Sequence, residues 1–171
     1  IRTKTNFKLE DCADDVAALA DVLGISTFIP VGYSMGGTVA QLLWRRHEHR
    51  VRGIVLCSTA SHFAKSREEK LSFFGLTGLA ALSRLTSAQA RTWLTDQLYL
   101  QRKSNGLAPW AVKQIASHDW RHILEAGSAI GNFDSRDWLP EFDEPAAVVI
   151  TTDDGVVAPG RQTELYQLLK D

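Results

Sequence analysis

The sequence has little of what marks several whole classes of protein. Its 171 residues hold two cysteines, Cys12 and Cys57, too few for a disulfide framework. With no secretory context, both read as reduced, buried thiols of a cytoplasmic protein. Neither sign of charge is in surplus: 19 Lys and Arg stand against 20 Asp and Glu, a net charge of −1. Nucleic-acid binding needs clustered excess Lys and Arg, so no nucleic-acid partner is expected. No apolar run approaches membrane length. The most apolar stretch, Phe73 to Leu82, is about ten residues, where a span needs roughly 20. Five prolines and 12 glycines are too few for collagen or low-complexity chains. The opening Ile1-Arg2-Thr3-Lys4-Thr5-Asn6 has basic residues with no apolar stretch behind them, so it is not a signal peptide.

What is present is an ordinary globular composition, 44% hydrophobic and 23% charged. A chain of this length buries roughly 70% of the surface that its unfolded form exposes, enough for one core. Leu9 to Leu23 reads as a helix, with Val16, Leu19, Ala20 and Leu23 at helical spacing and Gly24 just past its end. Thr27–Val31 is short, apolar and β-branched, which predicts a buried strand. Gly36 to about His49 is a second helix, with Val39, Leu42 and Leu43 on one face. Arg45, Arg46 and His47 in its last turn suit the negative end of the dipole. Val51–Cys57 and Ala146–Thr152 read as two more buried strands, and Arg161–Leu169 as a closing helix. Strands alternating with helices predict an α/β fold with a parallel sheet, and continuous apolar strands predict helices on both faces.

Between the second and third strands lies an excursion, Ser58 to Pro145, far longer than the dozen or so residues that one crossover requires. Helical patterns run over about Lys65–Leu85, Ser87–Gln101, Pro109–His118 and Trp120–Gly131. Trp93, Trp110, Trp120 and Trp138 all lie within it. Both ends join strands at one sheet edge, so the excursion reads as an inserted helical cap over residues 61–143, with residues 1–60 and 144–171 forming the core. Its apolar Phe73-Phe74-Gly75-Leu76 and Leu79-Ala80-Ala81-Leu82 segments are either a lid over an acyl pocket or the cap's own core.

One motif carries chemistry. Gly32-Tyr33-Ser34-Met35-Gly36 matches G-x-S-x-G and sits between a predicted strand and a predicted helix. The serine of such an elbow occupies a strained turn, so the residues two positions either side must lack a Cβ, as Gly32 and Gly36 do. Gly37 gives the helix room to approach the sheet. Ser34 would point from the carboxyl ends of the strands, where open α/β sheets place ligands. The Met35 N–H, at a helix N-terminus, would be one oxyanion donor.

The run VGYSMGGTVAQLLWRRHEHRVRGIVLCSTA resembles the α/β-hydrolase fold superfamily, in particular serine hydrolases of actinobacterial type. LEDCADDVAALADVLGI resembles the helix before the elbow strand of that family, and AAVVITTDDGVVAPGRQTEL its acid-bearing strand and loop. The family pattern D-x-x-V-x-P places the acid on Asp154 rather than Asp153. Both also suit a solvated turn. In this fold the triad runs Ser, acid, His. The histidines are His47, His49, His62, His118 and His122, and none follows Asp154. The second oxyanion donor, from a loop after an earlier strand, is also missing before Leu9. The resemblance therefore implies a fold truncated at both ends, with the base outside the chain and this piece inactive or nearly so.

His62, just after the second strand, is the best local histidine, as a base or as a pocket-lining residue. His118 and His122 could face the pocket, while His47 and His49 are expected on the surface. No cluster has metal-ligand spacing, and neither metal nor cofactor is expected. The expected partner is a small-molecule acyl substrate, an ester or similar. A serine at the elbow argues against epoxide hydrolases and dehalogenases, which carry aspartate there. Acyltransferase, perhydrolase and carbon–carbon bond hydrolase chemistry stay open, as does a degenerate domain that only binds a ligand.

Overall fold

A computed structural model describes residues 7–64 and 120–169. The helices expected over Lys65–Leu85, Ser87–Gln101 and Pro109–His118, with Trp93, Trp110 and His118, lie outside the described residues. The described elements, in chain order, are α1 (Leu9–Val22), β1 (Val31–Tyr33), α2 (Met35–His47), a 3-10 turn (Glu48–Arg50), β2 (Ile54–Cys57), α3 (Trp120–Asn132), a second 3-10 turn (Leu139–Glu141), β3 (Ala146–Val149) and α4 (Pro159–Leu168). The strands form one parallel sheet in the order β1-β2-β3. Tyr33 is in register with Cys57, and Cys57 with Val149.

Helix α2 is the centre of the structure. It packs on α1, β1 and β2. Its Leu43 and Trp44 join Val51, Ile54, Leu56, Leu139 and Leu165 in the core. Trp44 meets Phe142 edge-on at 5.0 Å and stacks on Trp138 at 6.1 Å. The chain returning from the long excursion is thus clamped to α2 by aromatic contacts.

A buried polar network does the same for both ends of the excursion. Gln41 of α2 donates from Nε2 to the Ala60 carbonyl at 3.2 Å, and its Oε1 accepts from Ser135 Oγ at 2.7 Å. The Ser135 N–H donates to the Ser61 carbonyl at 2.8 Å. Gln41, Ser61 and Ser135 are fully buried, so each bond satisfies a group that would be costly to leave unpaired.

Several expectations are corrected. The first strand is not Thr27–Val31. Phe28 makes only an isolated bridge to Val51, and the ladder begins at Val31, because Pro30 has no N–H to donate. Nor are β1 and β3 covered on both faces. Val31 and Tyr33 are each 71% exposed, and β3 is exposed or half-buried throughout. Side chains alternate across a strand, so Gly32 faces α2 while Val31 and Tyr33 face away, where no described element lies over them. The buried face of α1 is Leu9, Ala13, Ala17 and Ala20; of the expected stripe Ala20 is buried, while Val16, Leu19 and Leu23 are exposed. Cys12 and Cys57 are free but half-buried rather than buried. No helix among the described residues is long and apolar enough to cross a membrane.

Candidate active site

Ser34 lies between β1 and α2 with φ 51° and ψ −120°. Ordinary side chains avoid this backbone region, and holding one there costs about 1–3 kcal/mol. The turn is fixed from both sides. The Ser34 N–H donates to the Cys57 carbonyl at 2.9 Å, and the Gly37 N–H donates to the Ser34 carbonyl at 2.9 Å. The Ser34 hydroxyl does not cap its own helix, so this local use leaves it unclaimed.

The glycines around it have unequal reasons to be glycine. A Cβ on Gly32 would stand 2.4 Å from the Gly36 carbonyl oxygen and 2.6 Å from Gly37 Cα, both backbone atoms. A Cβ on Gly37 would stand 2.4 Å from Thr59 Cγ2, just beyond β2. A Cβ on Gly36 would meet nothing within 4 Å. The symmetric requirement expected of Gly32 and Gly36 is therefore one-sided: Gly32 must make way for Gly36's backbone, and not the reverse. Tyr33 projects to the exposed face. Met35 opens α2, so its N–H has no acceptor within the helix.

Asp154 lies in the loop between β3 and α4. Its Oδ1 accepts the N–H groups of Val156 (2.8 Å) and Val157 (2.9 Å), and its Oδ2 accepts the Thr151 hydroxyl (2.9 Å). The amides of Val157 and Val156, then the Thr151 hydroxyl, hold its carboxyl below the usual carboxylate range. Neighbouring Asp153 is exposed. Ser34 follows β1 and Asp154 follows β3, with β2 between them, and the parallel topology puts both at the carboxyl edge of the sheet.

His62 is 3% exposed. It bridges to Asp134 of the returning chain, its Nδ1 lies 3.4 Å from Ser61 Oγ, and its Nε2 lies 3.9 Å from Glu164 of α4. Burial lowers its pKa, Arg136 adds to this, and Glu164 opposes it. None of the hydrogen-bond partners of Asp154 among the described residues is a histidine. His49 is exposed, while His47 is held at 2.9 Å from Asp14 Oδ1 and is half-buried rather than free on the surface. Among the described residues, no three His, Cys, Asp or Glu gather in a way that could hold a metal ion.

Four residues at this edge were not foreseen. Ser58, opposite Ser34 across the β1–β2 register, is a second non-glycine residue at positive φ, 48°, and it is buried. Thr59 is buried under Gly37, its hydroxyl without a hydrogen-bond partner among the described residues. Thr151 and Gln162 brace the acid loop. Gln162 had a readable signal: it shares a helix face with Leu165, three positions on, and both are fully buried.

The profile of the family described as alpha/beta hydrolase fold matches residues 1–171. The chain belongs to that family. The alpha/beta hydrolases it resembles include a pimeloyl-[acyl-carrier protein] methyl ester esterase of Neisseria meningitidis serogroup B, 29% identical over 169 residues. That alignment covers 91% of this chain and 63% of the relative. Among solved structures, a thermophilic esterase from Thermogutta terrifontis superposes with a TM-score of 0.74 at 22% identity, over 99% of this chain and 63% of the other. The enol-lactonase from Burkholderia xenovorans LB400 gives a TM-score of 0.69 at 27% identity, over 95% and 61%. The chain thus spans under two thirds of the length of these relatives.

Proposed function

We propose that the whole protein hydrolyses an ester of a small acyl compound through a Ser-His-Asp triad. In this reading Ser34 Oγ attacks the carbonyl carbon while a histidine takes its proton. The tetrahedral oxyanion is met by the Met35 N–H. The intermediate collapses, and the histidine returns the proton to the leaving alcohol. Water then attacks the acyl-serine by the same route, releasing the acid and restoring Ser34. Asp154 orients the histidine and stabilises its imidazolium form. The family's order of Ser, acid, His puts the base after Asp154, so this reading takes it from outside residues 1–171. Residues 61–143 form a cap beside the site, and residues 1–60 and 144–171 belong to the catalytic core.

The observation that carries the reading is Ser34 itself. A non-glycine residue is held at φ 51° at a strand-to-helix turn, with its hydroxyl unused by the helix it starts. Strain of this kind persists where the surroundings over-determine it, and it clusters at active sites. The ester class draws support from relatives named esterases and an enol-lactonase, a lactone being a cyclic ester.

A fluorophosphonate probe tests it on residues 1–171 and on the full-length protein, each beside its Ser34→Ala variant. The expected result is Ser34-dependent labelling of the full-length protein and little of the 171-residue chain. Equal labelling of both would overturn the external base. A full-length protein with no Ser34-dependent labelling would be a ligand-binding domain rather than a hydrolase.

A further inference from the structure

The acid loop is tied together by one side chain. Gln162, on the first turn of α4, is fully buried. Its Oε1 accepts the Thr151 N–H at 2.9 Å, which fixes which way round the amide sits. Its Nε2 therefore faces the other partners: the Val157 carbonyl at 2.7 Å, Thr151 Oγ1 at 2.9 Å and, more distantly, Asp154 Oδ2 at 3.4 Å. One amide thus spans the end of β3, the carboxylate and the start of α4.

The donor–acceptor inventory then leaves one choice. An amide NH2 only donates, so Thr151 Oγ1 must accept from Gln162. The single hydroxyl proton of Thr151 is left to donate, and its partner is Asp154 Oδ2 at 2.9 Å. Both amide hydrogens of Val156 and Val157 go to Oδ1. An ionised carboxylate has about four acceptor positions. The two hydrogens of Gln162 Nε2 go to its nearer partners, the Val157 carbonyl and Thr151 Oγ1. Its 3.4 Å approach to Oδ2 is thus a contact without a hydrogen of its own. Among the described residues Oδ2 then accepts from Thr151 alone and keeps capacity for an incoming N–H.

We infer that Gln162, acting through the Thr151 hydroxyl, is a positioning residue that aims Asp154 Oδ2 at the catalytic imidazole. The inference rests on the triad reading above. It separates Gln162 from its near-isostere. A glutamate at 162 has no donor for Thr151 Oγ1 or the Val157 carbonyl. It would draw the Thr151 proton to itself and leave Oδ2 without that donor.

The test is the pH–rate profile of the full-length protein with p-nitrophenyl butyrate, each rate divided by the fluorophosphonate-titrated serine concentration. The variants are Gln162→Glu, Gln162→Leu, Thr151→Val, Thr151→Ser and Asp154→Ala. Gln162→Glu and Thr151→Val should lower kcat per titrated site about ten- to a hundredfold, with KM within about twofold. The acid limb of kcat/KM should move about one pH unit lower, because a displaced carboxylate no longer stabilises the imidazolium. Gln162→Leu in the Thr151→Val background should add little, since both break one chain. Thr151→Ser keeps the hydroxyl and should restore the limb. A purely structural role would lower the titrated fraction and leave the limb in place. If Asp154→Ala abolishes turnover while Gln162→Glu and Thr151→Val leave limb and kcat unchanged, this inference fails and the triad reading stands. If Asp154→Ala keeps wild-type turnover, the acid assignment fails, and this inference with it.

Discussion

The turn after β1 and the loop after β3 each hold one side chain at the same edge of the sheet, and they do it by different physics. Around Ser34 the constraint is steric and made of backbone: a Cβ on Gly32 would stand 2.4 Å from the Gly36 carbonyl oxygen. Around Asp154 it is made of hydrogen bonds, three of them reaching the carboxylate at 2.8 to 2.9 Å. A steric constraint admits one residue type and leaves a mark in the sequence. A hydrogen-bonded one admits any donor that reaches, and leaves almost none.

Gly32→Ala tests the steric side hardest. The clash is with backbone and no rotamer relieves it, so the expected loss is about 3 kcal/mol, the upper end of the overpacking range. Urea unfolding measures it, and a loss under about 1 kcal/mol would mean that the elbow is looser than its geometry implies. On the other side, Gln162→Leu leaves the Thr151 N–H and the Val157 carbonyl without their buried partner. The expected cost is about 2 kcal/mol in the same assay, and a neutral variant would show that water replaces the amide.

The exposed pairs of Asp14 with Arg46 (2.6 Å) and His47 (2.9 Å) belong to neither scheme and set a baseline. Hydrogen bonds from Arg46, then His47, lower the Asp14 pKa from 3.8 to about 2. A carboxylate whose folded pKa is depressed contributes stability above its unfolded pKa and loses it as pH falls through the folded one. Asp14→Asn should thus cost under about 1 kcal/mol at pH 7, the solvent-screened value for such pairs. The difference from wild type should vanish between about pH 4 and pH 2. A difference that survives at pH 2 would assign it to packing instead. Smallest of all is Gly36→Ala. With no atom within 4 Å of the new methyl and a helical position, it should change stability by less than about 0.5 kcal/mol or raise it slightly. A loss matching that of Gly32→Ala would erase the asymmetry between the two glycines.

The same contrast explains what was legible. Gly32, Ser34, the helix after them and the parallel sheet could be read because glycine spacing and apolar runs have few other uses. Family resemblance, not composition, pointed to Asp154 rather than Asp153; Asp154 carries the loop's hydrogen bonds, and Asp153 is exposed. Gln162, Thr151 and Ser58 went unread, because glutamine, threonine and serine are at home on any surface. The face of α1 was legible only in part. Helical spacing picked out Val16, Leu19, Ala20 and Leu23, but of these Ala20 alone is buried, beside Leu9, Ala13 and Ala17. Covered strands were expected from their apolarity alone, which does not say where the cover comes from.

The bare face of β1 has a consequence for handling. Val31 and Tyr33 lie in water beside Ile29, and Leu19, Val22 and Leu23 are exposed on α1. β1 is also a terminal strand of the described sheet. Apolar side chains on an open strand edge invite a second strand to add. The 171-residue chain should therefore self-associate as its concentration rises, and the colloidal behaviour of a preparation reports how well that face is shielded.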